Sequence, residues 1–135
     1  MNGDKGFRAG HCLCGAIAYR VPHPFTGAIA HCHCSMCRRQ AASVSLPWFT
    51  VPKDRFALTK GTLRIHRSSE HGERGFCGDC GTPITFWTRH HPDLIDVTLC
   101  SLEEEQIVKP DMHIYSESRL PWLTLDPDLP DRTDD

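Results

Sequence analysis

The chain has 135 residues, enough for one modest core and too few for two large independent lobes. Its formal charge of −2 excludes wholesale nucleic-acid binding, and it has no apolar run of membrane-spanning length. Eight cysteines in so short a chain call for disulfides or metal. Met1 to Gly10 has no leader-like apolar run, so the expectation is a cytoplasmic protein with reduced thiols, in which cysteine clusters are metal sites.

Met1 to Gly10 is expected to be a polar lead-in, with residues 1–9 outside the folded domain. His11-Cys12-Leu13-Cys14-Gly15 follows, a C-x-C closed by glycine, at the entrance of a strand in which Ile17, Tyr19 and Val21 alternate with smaller or polar residues. Ala28 to His31 is a second short strand that delivers Cys32-His33-Cys34-Ser35-Met36-Cys37. Arg38 to Ala42 is expected to form one helical turn, and Val44 to Val51 a strand that Pro47 and Pro52 would put at a sheet edge.

Phe56 to Leu58, Gly61 and Leu63 to Arg67 predict a hairpin, and Ser68 to Gly75 a polar loop. Phe76-Cys77-Gly78-Asp79-Cys80-Gly81 is a C-x-x-C knuckle whose glycines let backbone N–H groups approach sulfur. Ile84 to Thr88 and Leu94 to Leu99 are strands. Ser101 and Glu104 form a capping-box pattern that predicts a single short helix over Leu102 to Ile107. Met112 to Tyr115 is the last strand, residues 10–125 make the single domain, and residues 126–135 are expected to be an acidic extended tail, anchored if at all by Trp122 and Leu123. The class is all-β with little helix. Charge is unevenly spread: residues 30–75 carry a net +5, suited to a small anion, and residues 102–135 a net −7.

Seven of the eight cysteines fall into groups of two, three and two. The two pairs, Cys12/Cys14 and Cys77/Cys80, supply the four ligands of a closed tetrahedral zinc site. That leaves Cys32, Cys34 and Cys37 for a second zinc, with a fourth corner open to water or substrate, or closed by His11, His31, His33, His113 or Cys100. The competing allocation joins Cys34/Cys37 to Cys77/Cys80 as a zinc ribbon and strands Cys12, Cys14 and Cys32. His33, between two ligands, is expected to point away from the metal, and Cys100 to be a small buried hydrophobe. His66, His71, His90 and His91 read as surface or loop residues.

Three thiolates leave a Zn²⁺ complex with surplus negative charge, which weakens it as a Lewis acid and keeps a bound thiolate nucleophilic. The chemistry best suited to such a site makes or breaks a bond at a substrate sulfur. Two other readings stay open: a non-catalytic interaction module with two structural zincs, and a redox sensor built on the triad.

The three cysteine motifs in this order carry a resemblance that spans nearly the whole chain. With Gly10-His11-Cys12-Leu13-Cys14-Gly15 and Tyr19, Cys32 to Cys37 with Arg38 and Arg39, Phe76 to Gly81, His113 and Pro121-Trp122, the sequence resembles the glutathione-dependent formaldehyde-activating family, which also includes centromere protein V. The resemblance implies twisted antiparallel sheets like those of small zinc-binding Rab chaperones. It also implies a structural zinc on Cys12, Cys14, Cys77 and Cys80 and a catalytic one on Cys32, Cys34 and Cys37. The implied activity joins the thiol of glutathione to formaldehyde or, as a carbon–sulfur lyase, cleaves such a bond. Arg38 and Arg39 would hold substrate carboxylates, and His113 would line the pocket or relay a proton. The chain departs from the family at Ala42 and Cys100, where relatives carry glycine.

Overall fold

Alternation decides this fold, because each long strand of the main sheet has one apolar face to bury and a second face to build with. The computed structural model describes residues 6–105 and 108–132. Strands β1 (Phe7–His11), β2 (Ala18–Pro22) and β5 (Ala57–Lys60) form a three-stranded sheet in the order β1-β2-β5. The second sheet has eight strands: β3 (Ala30–Cys32), β4 (Leu46–Pro52), β6 (Arg64–Arg67), β7 (Gly72–Phe76), β8 (Pro83–Thr88), β9 (Leu94–Thr98), β10 (Met112–Ile114) and β11 (Asp131–Arg132). Their order is β11-β10-β3-β4-β9-β8-β7-β6, antiparallel throughout except for the parallel pairs that β10 makes with β3 and β11.

One face of the large sheet presents Phe49, Val51, Ile84, Ile95 and Val97, and these pack with Ile17, Tyr19 and Val21 of the small-sheet side into the main core. Trp48, Thr50, Leu94 and Asp96, which alternate with Phe49, Val51, Ile95 and Val97, face the other way and line a cavity together with Phe86. Tyr19 and Phe49 are fully buried, and burying such an aromatic side chain stabilises by about 1.5–3 kcal/mol. Gly10 pairs with Tyr19 across β1 and β2, and a Cβ there would collide with the Tyr19 ring.

The all-β class with little helix holds, and several local expectations change. Residues 7–9 are not lead-in: Phe7–His11 pairs along its whole length with β2, and Gly10 also bridges to Leu102. β4 is not an edge strand but lies between β3 and β9; its prolines sit near its two ends, where a missing N–H costs least. The expected hairpin does not form, since β5 joins the small sheet and β6 the large one. Every residue of both strands is exposed, so alternation had no buried face with which to specify a partner.

Within the expected loop, Gly72–Phe76 is strand β7; its glycines and arginine hide the pattern. The α-helix among the described residues is α1 (Ser35–Ala41), longer than the expected turn. At the expected second helix, Leu99–Ser101 is a 3₁₀ turn and Leu102 a bridge residue, while residues 106 and 107 lie outside the described residues. The tail from residue 126 returns to the sheet as β11, with Pro130 accepting the His113 N–H.

Candidate metal centres and the cavity

Two similar turns build the first centre. Cys12 N–H donates to the Ile17 carbonyl and Cys77 N–H to the Thr82 carbonyl, so each turn folds back on its first cysteine. Gly15 and Gly81 close them at φ 82° and 84°, a conformation that a residue with a Cβ adopts only under strain. The Sγ atoms of Cys12, Cys14, Cys77 and Cys80 all lie within 4.8 Å of one another. Cys12–Cys14 is 3.7 Å and Cys14–Cys77 3.8 Å, matching the edge of about 3.8 Å expected for four sulfurs at 2.3 Å from one zinc. The N–H groups of Ile17 and Cys80 point at Cys12 and Cys77 sulfur at 3.2 and 3.4 Å, and Thr82 holds the Cys80 thiol down to about 5.

The second centre lies where β3 runs into α1. Cys32 ends the strand, Cys34 is the N-cap of the helix with its sulfur accepting from Cys37 N–H at 3.3 Å, and Cys37 is buried in the first turn. Their sulfurs again lie within 4.8 Å of one another, with Cys37 and Cys32 at 3.2 Å. Thiol hydrogen bonds from Cys32, then Cys37, drive Cys34 down to about 2, with the Arg74 charge helping, while Cys32 is driven up, first by Cys34. This donor set of three soft sulfurs, one already favoured as thiolate, suits zinc. Among the described residues no histidine, carboxylate or further cysteine joins the group, and the ribbon allocation falls because Cys77 and Cys80 belong to the other centre.

All three triad cysteines line a cavity of about 600 Å³, a volume that suits a small-molecule ligand. Its walls are Trp48 and Phe86 on the large sheet and Met112 and Ile114 on β10, with Arg74 beside the triad and His71 and His90 also lining it. The two imidazoles meet edge to face, their centroids 4.6 Å apart.

The histidines expected as ligands or relays are elsewhere. In β10 the alternation that turns Met112 and Ile114 to the cavity turns His113 away from it, and His31 in β3 behaves likewise. Behind the triad these rings join His33: His33 Nε2 and His113 Nδ1 share a hydrogen bond at 2.8 Å. His113 Nε2 donates to the Asp126 carbonyl at 2.9 Å, and His31 Nε2 pairs with the Asp126 carboxylate at 2.7 Å. Burial, then the nearby Arg119 charge, pushes His33 down to about 4.

Arg38 and Arg39 also stay out of the cavity. Arg38 donates to the carbonyls of His33 and Ser118, tying the helix to the chain that follows β10, and Arg39 is exposed. Cys100 is exposed on the 3₁₀ turn rather than buried. Arg74 was missed because its neighbours Gly72, Glu73 and Gly75 give no strand pattern; the clue available was its place three residues before the Cys77–Cys80 knuckle.

Comparison with known proteins completes the picture. The chain is 26% identical over 140 residues to a Halomonas elongata protein provisionally named as a glutathione-dependent formaldehyde-activating enzyme, covering 91% of this chain and 83% of that protein. Its fold matches the crystal structure of a Rhodobacter sphaeroides protein with a TM-score of 0.59 at 20% identity, over 92% of this chain and 99% of the other. The family model for the glutathione-dependent formaldehyde-activating enzyme matches residues 7–118, a span that contains both cysteine centres, and the chain belongs to that family.

Proposed function

We propose that this protein is a zinc-dependent enzyme that forms or cleaves the carbon–sulfur bond between formaldehyde and glutathione or a related small thiol. The observation that carries the reading is the triad itself: three cysteine sulfurs gathered on the wall of a ligand-sized cavity, with no fourth protein ligand among the described residues. The four-cysteine centre, away from that cavity, would be structural. Cys32, Cys34 and Cys37 would hold a zinc ion, which would supply the positive charge that keeps a substrate thiol in its nucleophilic thiolate form.

The chain's own residues would do the rest. Cys32, Cys34 and Cys37 hold the metal, and Trp48, Phe86, Met112 and Ile114 keep water from the reacting sulfur. Carboxylates of glutathione would meet the polar part of the lining, where His71, His90, His91 and Arg132 supply N–H donors. In the forming direction the thiolate sulfur adds to the carbonyl carbon and the C=O electron pair moves to oxygen. The proton released by the thiol ends on that oxygen, giving an S-hydroxymethyl adduct; the lyase direction reverses each of these moves. A reducing cytoplasm is the compartment in which such thiols stay available.

Zinc-edge X-ray absorption with and without glutathione tests this, together with exchange NMR of the adduct. Two zincs per chain are expected, one gaining a sulfur neighbour when glutathione is added, with adduct exchange faster than in buffer. Two zincs that ignore glutathione, and an unchanged exchange rate, would overturn the enzyme reading and leave an interaction module.

A further inference from the structure

Arg74 is an unusual cation for this protein: its residue is only 6% exposed, and none of the ion pairs among the described residues includes it. Taking a guanidinium out of water costs several kcal/mol unless a negative group answers it. Both terminal nitrogens aim at one atom, Cys37 Sγ, at 3.6 and 3.7 Å, and Nη1 also donates to Gln40 Oε1 at 2.9 Å. Strand register fixes the pose. Arg74 on β7 pairs with Phe86 on β8, so both project from the same face, and the guanidinium lies 4.9 Å from the Phe86 ring centroid and 6.0 Å from that of Trp48. Gln40, one turn beyond Cys37 on α1, holds the fork from the other side.

The negative group that answers Arg74 is therefore the sulfur cluster. Three thiolates on a divalent cation leave one surplus negative charge, and a fourth thiolate would make it two. A fixed guanidinium against Cys37 draws electron density from that sulfur and lowers the energy of both states, most for the more negative one.

We propose that Arg74 is a positioning residue of the triad, whose two-pronged donation to Cys37 offsets the thiolate charge and so enables the site to take one further thiolate of any kind. The assignment rests on the zinc-thiol reading above and adds a role that Arg38 and Arg39, outside the cavity, do not fill.

Cobalt substitution of the full-length protein tests it, because thiolate-to-cobalt bands report the sulfur environment without any turnover. The Cys37→Ser protein gives the spectrum of the four-cysteine centre, and subtraction isolates the triad. Arg74→Met, with Arg74→Gln as a second neutral variant, is expected to weaken triad cobalt in chelator competition by roughly 10- to 100-fold while the four-cysteine centre keeps its metal. Arg74→Lys is expected to recover part of the loss. Glutathione and uncharged 2-mercaptoethanol are then each titrated into the cobalt protein, and both are expected to bind more weakly to the neutral variants.

Triad affinity within twofold of the unaltered chain would overturn the role of Arg74. A loss confined to glutathione would also overturn it, by reassigning the guanidinium to substrate carboxylates. Where neither neutral variant folds, the band of Arg74→Lys decides, because an ammonium cannot reproduce the fork and an unshifted band would count against the assignment. An unaltered chain that takes cobalt only at the four-cysteine centre would overturn the zinc-thiol reading and this role together, whereas triad cobalt held equally well against the chelator in the unaltered and neutral proteins overturns the role alone.

Discussion

Cys34 has two jobs that a substitution can separate. Its sulfur caps α1 through the Cys37 N–H, and serine, a good N-cap residue, keeps that bond while giving up a soft metal ligand. Cys34→Ser is therefore expected to lose one zinc and the thiol chemistry with an unchanged far-UV circular dichroism spectrum. Cys77 differs because its centre ties the small-sheet side to the β7–β8 end of the large sheet. Zinc sites in model peptides contribute about 10–16 kcal/mol, as much as a whole small domain's stability, so Cys77→Ser is expected to unfold the chain. His113 gives a third contrast. Buried and bonded to His33 and Asp126 on the face away from the cavity, it supports the triad from behind. His113→Ala is expected to cost about 2–4 kcal/mol in urea unfolding, while KM for the thiol stays near its starting value; a large KM increase would restore a cavity role.

At the level of elements, α1 carries strain at its C-terminal end. Its C-cap, Ala42, has φ 51° and ψ 46°, the left-handed conformation that closes many helices and that glycine adopts freely. The family resemblance leads one to expect glycine near this position, and the backbone conformation supplies a reason. An L-residue pays roughly 1–2 kcal/mol for this conformation, and glycine gives back up to about 1 kcal/mol through its freer unfolded chain. Ala42→Gly is thus expected to raise stability by about 0–2 kcal/mol, read as a higher Tm with the same zinc content. A fall in Tm would mean that the alanine methyl group contributes packing that offsets the strain. Among the strands, β4 organises the site, since Phe49 and Val51 hold the core while Trp48 and Thr50 line the cavity.

For the molecule as a whole, the C-terminal segment is a working part of the fold. Asp126 engages His31 and His113, Pro130 accepts from β10, Arg119 pairs with Asp131 at 2.8 Å, and β11 extends the large sheet. Ending the chain after residue 125 removes partners from at least two buried imidazoles. It is expected to cost about 2–5 kcal/mol and to loosen the β3–α1 junction that carries Cys32 and Cys34, measured as a lower urea midpoint and faster zinc loss to a chelator. A truncated protein with the original midpoint would return the segment to the status of a loose acidic tail.

What the sequence determined by itself was whatever depends on local spacing. C-x-C and C-x-x-C can direct their sulfurs at one point within a few residues, so the triad and each separate pair were legible before any fold was known, while joining the two pairs rested on the four ligands that a closed site needs. The same holds for the strands whose buried face is apolar, such as β2 and β9, because a period of two is a local property. What only the tertiary structure decided was which distant residues share a face. Arg74 reached the triad and Arg38 did not, although Arg38 adjoins Cys37 in sequence, because pairing with Phe86 turns β7 toward the cavity while α1 turns Arg38 toward Ser118. The parity of β10 turned His113 away, and the exposed β5 and β6 parted into different sheets. Register and partner choice are settled by long-range burial, which no window of neighbouring residues contains.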